Sequence, residues 1–123
     1  MNMLTIDLVE DVVLPGGVIR GTARWQGFQP GDRLEVRLRW ETTGKIVLPA
    51  STVTGSQSID AGPGAGQREF EFAVPAEPLS VRGRLFQIRW RVELRSARSG
   101  QQTERDVVVS NIGRLLVLTP IGG

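Results

Sequence analysis

Apolar and polar residues alternate along most of this chain with a period of two. That is the spacing of a strand with one face on a core and one in water. Leu4, Ile6 and Leu8 open the series, interleaved with Met3, Thr5, Asp7 and Val9. Pro15-Gly16-Gly17 predicts a turn, and Val18 to Gln26 a strand rich in β-branched and aromatic residues. Gln29-Pro30-Gly31-Asp32 places Pro and Gly as a type II turn requires. The clearest alternation follows: Leu34, Val36, Leu38 and Trp40 on one side, Arg33, Glu35, Arg37, Arg39 and Glu41 on the other. Lys45 to Thr54 reads as a weaker strand broken at Pro49, and Ser56 to Gln67, with Gly62-Pro63-Gly64-Ala65-Gly66, as a flexible loop.

Phe70, Phe72 and Val74 mark another half-buried strand. The second strong one is Arg84 to Arg95, with Phe86, Ile88, Trp90, Val92 and Leu94 inward and Gln87, Arg89, Arg91, Glu93 and Arg95 outward. Asp106 to Ser110 and Arg114 to Thr119 read as two short closing strands around Asn111-Ile112-Gly113. Seven to nine short strands, with turn signals every eight to twelve residues and no helical period, predict an all-β fold. The expected architecture is an immunoglobulin-like antiparallel two-sheet sandwich, one domain over residues 1–123.

Two segments resemble the arrestin superfamily. Val13-Leu14-Pro15-Gly16-Gly17-Val18-Ile19-Arg20-Gly21-Thr22-Ala23 is similar to the first hairpin of arrestin-fold domains, with Gly17 where Glu is usual. Phe72-Ala73-Val74-Pro75, Leu79-Ser80-Val81-Arg82-Gly83 and Phe86-Gln87-Ile88-Arg89-Trp90-Arg91-Val92 follow in the order seen in those domains and in bacterial arrestin-like sporulation-control proteins. The resemblance implies an arrestin-like sandwich and a role in protein–protein scaffolding. It carries over no specific binding residue. The family pairs two such sandwiches, and this chain has length for one.

Composition narrows the chemistry. Hydrophobic residues are 40% and charged residues 23% of 123, an ordinary globular balance. There is no Cys, His or Tyr. Thiolate and imidazole metal sites, Cys or His nucleophiles and the usual neutral-pH general base are therefore excluded. The pI of 10.4 accompanies a net charge of only +2. The high value reflects missing buffering groups; a duplex-binding protein carries a larger excess. The longest apolar stretch, Leu115 to Leu118, falls far short of the ~20 residues of a membrane span. Asp7, Glu10 and Asp11 sit where a signal peptide needs an apolar run. The expectation is a cytoplasmic protein without membrane insertion.

Few residues carry candidate chemistry. The Gly-rich segment is followed by a strand and lacks Gly-Lys-Ser/Thr, so it does not read as a phosphate loop. Asp7, Glu10, Asp11, Asp32 and Asp60 lie at strand ends or turns and read as solvated. Ser80 and Ser110 have no neighbouring base. Trp40 and Trp90 fall in phase with core positions, while Trp25 and Phe28 read as partly exposed and available to an interface.

The arginines are more informative: 79–98 holds Arg82, Arg84, Arg89, Arg91, Arg95 and Arg98 against Glu93 alone. If the two strongest strands are neighbours, Arg33, Arg37, Arg39, Arg89, Arg91 and Arg95 share one surface with Glu35, Glu41 and Glu93. These six are the candidate binding residues, set against a plain solvated face of cross-strand ion pairs. The function expected is a non-enzymatic interaction or scaffolding module, without cofactor or metal. Its partner is a protein, or a second copy joined through an edge strand. The alternative is an anion- or nucleic-acid-binding domain, disfavoured by the lack of exposed aromatics for base stacking.

Overall fold

The computed structural model describes residues 2–118. Its strands are β1 (Met3–Leu8), β2 (Val12–Val13), β3 (Val18–Phe28), β4 (Arg33–Gly44), β5 (Ala50–Asp60), β6 (Gly64–Ala73), β7 (Val81–Arg82), β8 (Phe86–Ser96), β9 (Gln102–Val109) and β10 (Leu116–Val117). There are ten rather than seven to nine, because β2, β7 and β10 are two-residue elements too short to show alternation. The small sheet runs β1-β3-β6. The large one runs β10-β7-β8-β4-β5, with β9 also on β8 and β2 on β9. Two pairs, β2 with β9 and β7 with β10, are parallel, so the sandwich is not wholly antiparallel.

The predicted outward and inward faces hold where they matter. Leu34, Val36 and Leu38 of β4 and Trp90, Val92 and Leu94 of β8 are buried against Ile6, Ile19, Phe70 and Phe72 of the small sheet. Trp90 donates its indole N–H to the Pro78 carbonyl at 2.8 Å, which satisfies the one polar atom of a fully buried ring. Trp40 lies beside it on β4 but is only half-buried, packed at the margin of the core.

Trp25 and Phe28 are not an exposed interface pair; both are buried. The Trp25 indole donates to the Ala61 carbonyl at 2.7 Å. The reason is the supposed loop over 56–67, most of which is strand, the connection between β5 and β6 being only Ala61 to Pro63. Gly66 stands opposite Trp25 in the ladder, and a Cβ there would lie 2.7 Å from Trp25 Cζ2. Gly21 stands opposite Phe70 in the same way, with 2.6 Å to its Cζ. Each glycine leaves a slot that a cross-strand aromatic ring fills.

The chain changes sheets at both sides of the sandwich. On one side β1 and β2 belong to different sheets, and Arg105 of β9 donates to the Ile6 carbonyl, closing the gap. On the other side β5 and β6 form the outer strands of the two sheets. The closing strand expected at Arg114 to Thr119 is Leu116–Val117, and Thr119 lies outside the described residues. No described helix is long and apolar enough to cross a membrane.

Candidate functional site

β4 and β8 are antiparallel neighbours from Leu34↔Ser96 to Gly44↔Phe86, so the six candidate arginines do share one outer sheet face. They do not stand there alone. β9 adds Glu104 and Asp106, which the sequence pattern did not place on this face, and β5 adds Asp60. Arg33, Arg37, Arg39, Arg89, Arg91 and Arg95 therefore meet Glu35, Glu41, Asp60, Glu93, Glu104 and Asp106, and the face carries no net charge.

Register sets up a conflict that diagonals resolve. Arg39 is directly opposite Arg91, and Glu93 directly opposite Glu104. Like charges so placed repel. Glu93, however, lies between Arg37 and Arg39, with Arg39 Nε 2.9 Å from its Oε2. Arg91 reaches Glu41 at 2.7 Å, Glu104 at 3.2 Å and Asp106 at 3.6 Å. Arg89 takes both Asp106 oxygens, at 3.0 and 2.8 Å. At the margins Arg33 is 3.5 Å from Asp60, and Arg95 has no ion pair among the described residues.

The middle of this lattice is shielded from water. The Glu93 side chain is 2% exposed, and those of Arg91, Arg39 and Arg37 are 14%, 18% and 23% exposed. Burial pushes the Glu93 carboxyl up, but the Arg37 hydrogen bond and the charges of Arg37 and Arg39 outweigh it, and the carboxyl sits below its ordinary 4.5. The Nε groups of Arg37, Arg39 and Arg91 are close to carboxylates yet not aligned as hydrogen-bond donors. These central guanidiniums are thus committed to neighbours on the same face. An incoming anion would displace existing partners to reach them.

The remaining polar candidates hold backbone in place. The buried Ser80 hydroxyl accepts the Val109 N–H at 2.9 Å, tying the segment before β7 to β9. Asp32 is buried rather than solvated; its Oδ2 accepts the Gln29 N–H at 2.8 Å across the turn, and Arg98 approaches its Oδ1 at 3.3 Å. Ser110 accepts the Ile112 N–H at 3.1 Å. Among the described residues no three Asp or Glu side chains converge as a metal site. A shallow depression of about 700 Å³ beside Arg20, Gln57, Arg68 and Glu71 contains the exposed Arg20–Glu71 pair at 2.9 Å.

The edges of the sheets differ. β6 carries Arg68, Glu69 and Glu71 along its length, and β1 is partly covered by Arg105. β5 pairs with β4 on one side and ends the large sheet on the other. From Ala50 to Ser58 it contains no charged residue and no proline. Its one irregularity is a bulge facing Leu38 and Arg39.

Sandwich topology and core place the chain in the arrestin-like fold. The likeness extends to the crystal structure of Spo0M, the sporulation control protein of Bacillus subtilis, with a TM-score of 0.58 and 18% identity over 89% of this chain. This chain spans about half of that one, 49%. A beta-glucosidase from Listeria innocua, crystallised with isofagomine, matches over 96% of this chain with a TM-score of 0.53 and 13% identity, but only 17% of the enzyme is covered. No family model and no curated protein matches the sequence.

Proposed function

We propose that the chain is a non-enzymatic interaction module that binds an extended, uncharged segment of a partner protein as an added strand on β5. The observation that carries this reading is the uncharged, proline-free edge from Ala50 to Ser58. Edge strands offer a row of free N–H and C=O groups and are normally blunted by charge or proline. β6 has the charge and β5 has neither. Main-chain pairing supplies affinity in such additions, and the small Ser51, Ser56 and Ser58 side chains leave room for a partner's alternate residues. A regulatory interaction of this kind also fits the likeness to Spo0M, a sporulation control protein. The charge-neutral arginine face weighs against the nucleic-acid reading, since affinity for phosphates grows with net cationic charge.

Successive residues of a strand point their N–H groups to opposite sides. Of Ser56→Pro and Gln57→Pro, one therefore removes a donor only from the free edge and leaves the pairing with β4 intact. That folded variant is expected to lose a partner captured by the wild type, while Arg33→Glu/Arg95→Glu retains it. Undiminished capture by the folded proline variant overturns the reading. Self-association of the wild type alone, abolished by the same variant, makes the occupant a second copy instead.

A further inference from the structure

The face of β4 and β8 is neutral, so the chain's net charge of +2 resides elsewhere. It gathers at one end of the sandwich. There the β4–β5 connection lies against the turn between β7 and β8, with the N–H groups of Lys45 and Ile46 on the Leu85 carbonyl at 2.7 and 3.3 Å. Leu118 joins them, its N–H on the Arg82 carbonyl at 2.9 Å and its side chain against Gly83. Lys45, Arg82 and Arg84 are exposed here and pair with no carboxylate among the described residues. The segments that meet at this end, 42–50, 79–88 and 115–118, contain no Asp or Glu.

The same end displays apolar side chains. Leu48 is 89% exposed and Ile46 63%, and Leu85 and Leu118 are also exposed. Scattered exposed apolar residues are ordinary, but four on adjoining loops framed by unpaired cations are a composite surface. We propose that Ile46, Leu48 and Leu85 enter the headgroup region of an anionic lipid surface while Lys45, Arg82 and Arg84 hold its phosphates and carboxylates. This goes beyond strand addition at β5 and uses different residues.

The chemistry selects that occupant. Two copies of this end would bring like charges together. A folded acidic partner would need a shaped groove, and these side chains protrude from turns. A bilayer interface yields to protruding residues, attracts cations on its anionic leaflet and accepts shallow apolar side chains. This is adsorption at the interface; no strand crosses.

The test is sedimentation with vesicles of phosphatidylcholine alone and with about 30% phosphatidylserine, at about 0.15 M salt. The wild type is expected on the anionic vesicles only. Lys45→Gln/Arg84→Gln should weaken that binding about 25-fold, at roughly fivefold per cation. Ile46→Ser/Leu48→Ser should weaken it about tenfold or more while leaving retention on heparin, a soluble polyanion, unchanged. Because the chain has no cysteine, Leu48→Cys accepts a single polarity-sensitive dye, whose emission should shift to the blue on anionic vesicles. Equal sedimentation of the wild type on both vesicles, or on neither, overturns the proposal. So does wild-type binding by Ile46→Ser/Leu48→Ser, or a dye that stays in water; either would mark a surface that responds to charge alone. Both positions are exposed, so an unchanged urea midpoint confirms that each variant is folded.

Discussion

Glu93 is the residue on which the outer face turns. It is a carboxylate on the water side of a sheet, yet its side chain is 2% exposed, enclosed by the guanidiniums of Arg37 and Arg39. Breaking a buried ion pair by removing one partner typically costs 3–5 kcal/mol because the other charge is left unpaired. Here both arginines keep contact with water and with Glu35 or Glu41, so Glu93→Gln is expected to cost about 2 kcal/mol in a urea titration at pH 7. The sign with pH follows from the lowered carboxyl. Its stabilisation is fully present above the ordinary value of 4.5 and is lost as pH falls through the lower value of the folded state. The stability gap between wild type and Glu93→Gln should therefore be constant from pH 7 down to about 5 and narrow below 4. A gap independent of pH down to 2 would show that the carboxylate is not what holds Arg37 and Arg39.

At the scale of the element, what was legible depended on the size of the inward residues. β4 and β8 alternate large apolar with charged side chains, so strand, face and neighbours could all be read from the sequence. β3 alternates as faithfully, but its inward set is Ile19, Gly21, Ala23 and Trp25, and two small residues conceal the pattern. Their purpose is visible only across the ladder, where Phe70 fills the space over Gly21. Gly66 of β6 misled for the same reason, since it lies under Trp25, and Gly55 of β5 lies likewise under Phe72. The arginine set was legible from alternation, but its neutrality was not. Asp60, Glu104 and Asp106 come from strands whose place beside β4 and β8 no local pattern reveals. Hydrogen exchange should separate these elements. Amides of β4 and β8, enclosed on both sides by ladders, should exchange only through global opening. Alternate amides from Ser51 to Ser58 should exchange orders of magnitude faster, because they face no strand. Uniform protection along β5 would mean that its edge is already occupied.

For the whole molecule, the distribution of charge is more informative than its total. Fourteen arginines and one lysine against thirteen acids suggest a cationic surface only while positions are unknown. Pairing across β5, β4, β8 and β9 neutralises the largest face and leaves the excess at the end that bears Lys45, Arg82 and Arg84. The titration behaviour is equally one-sided. No His, Cys or Tyr is present, so no side chain of the type that ordinarily titrates near neutral pH is available. Stability varies with pH only where folded and unfolded chains bind different numbers of protons. The free energy of unfolding should therefore stay within about 0.5 kcal/mol from pH 6 to pH 9, with Glu93 contributing to the acid limb. Urea titrations across that range check it. A slope in the neutral region would require a proton-binding difference that this composition does not supply, and would point to a change in association rather than in the fold.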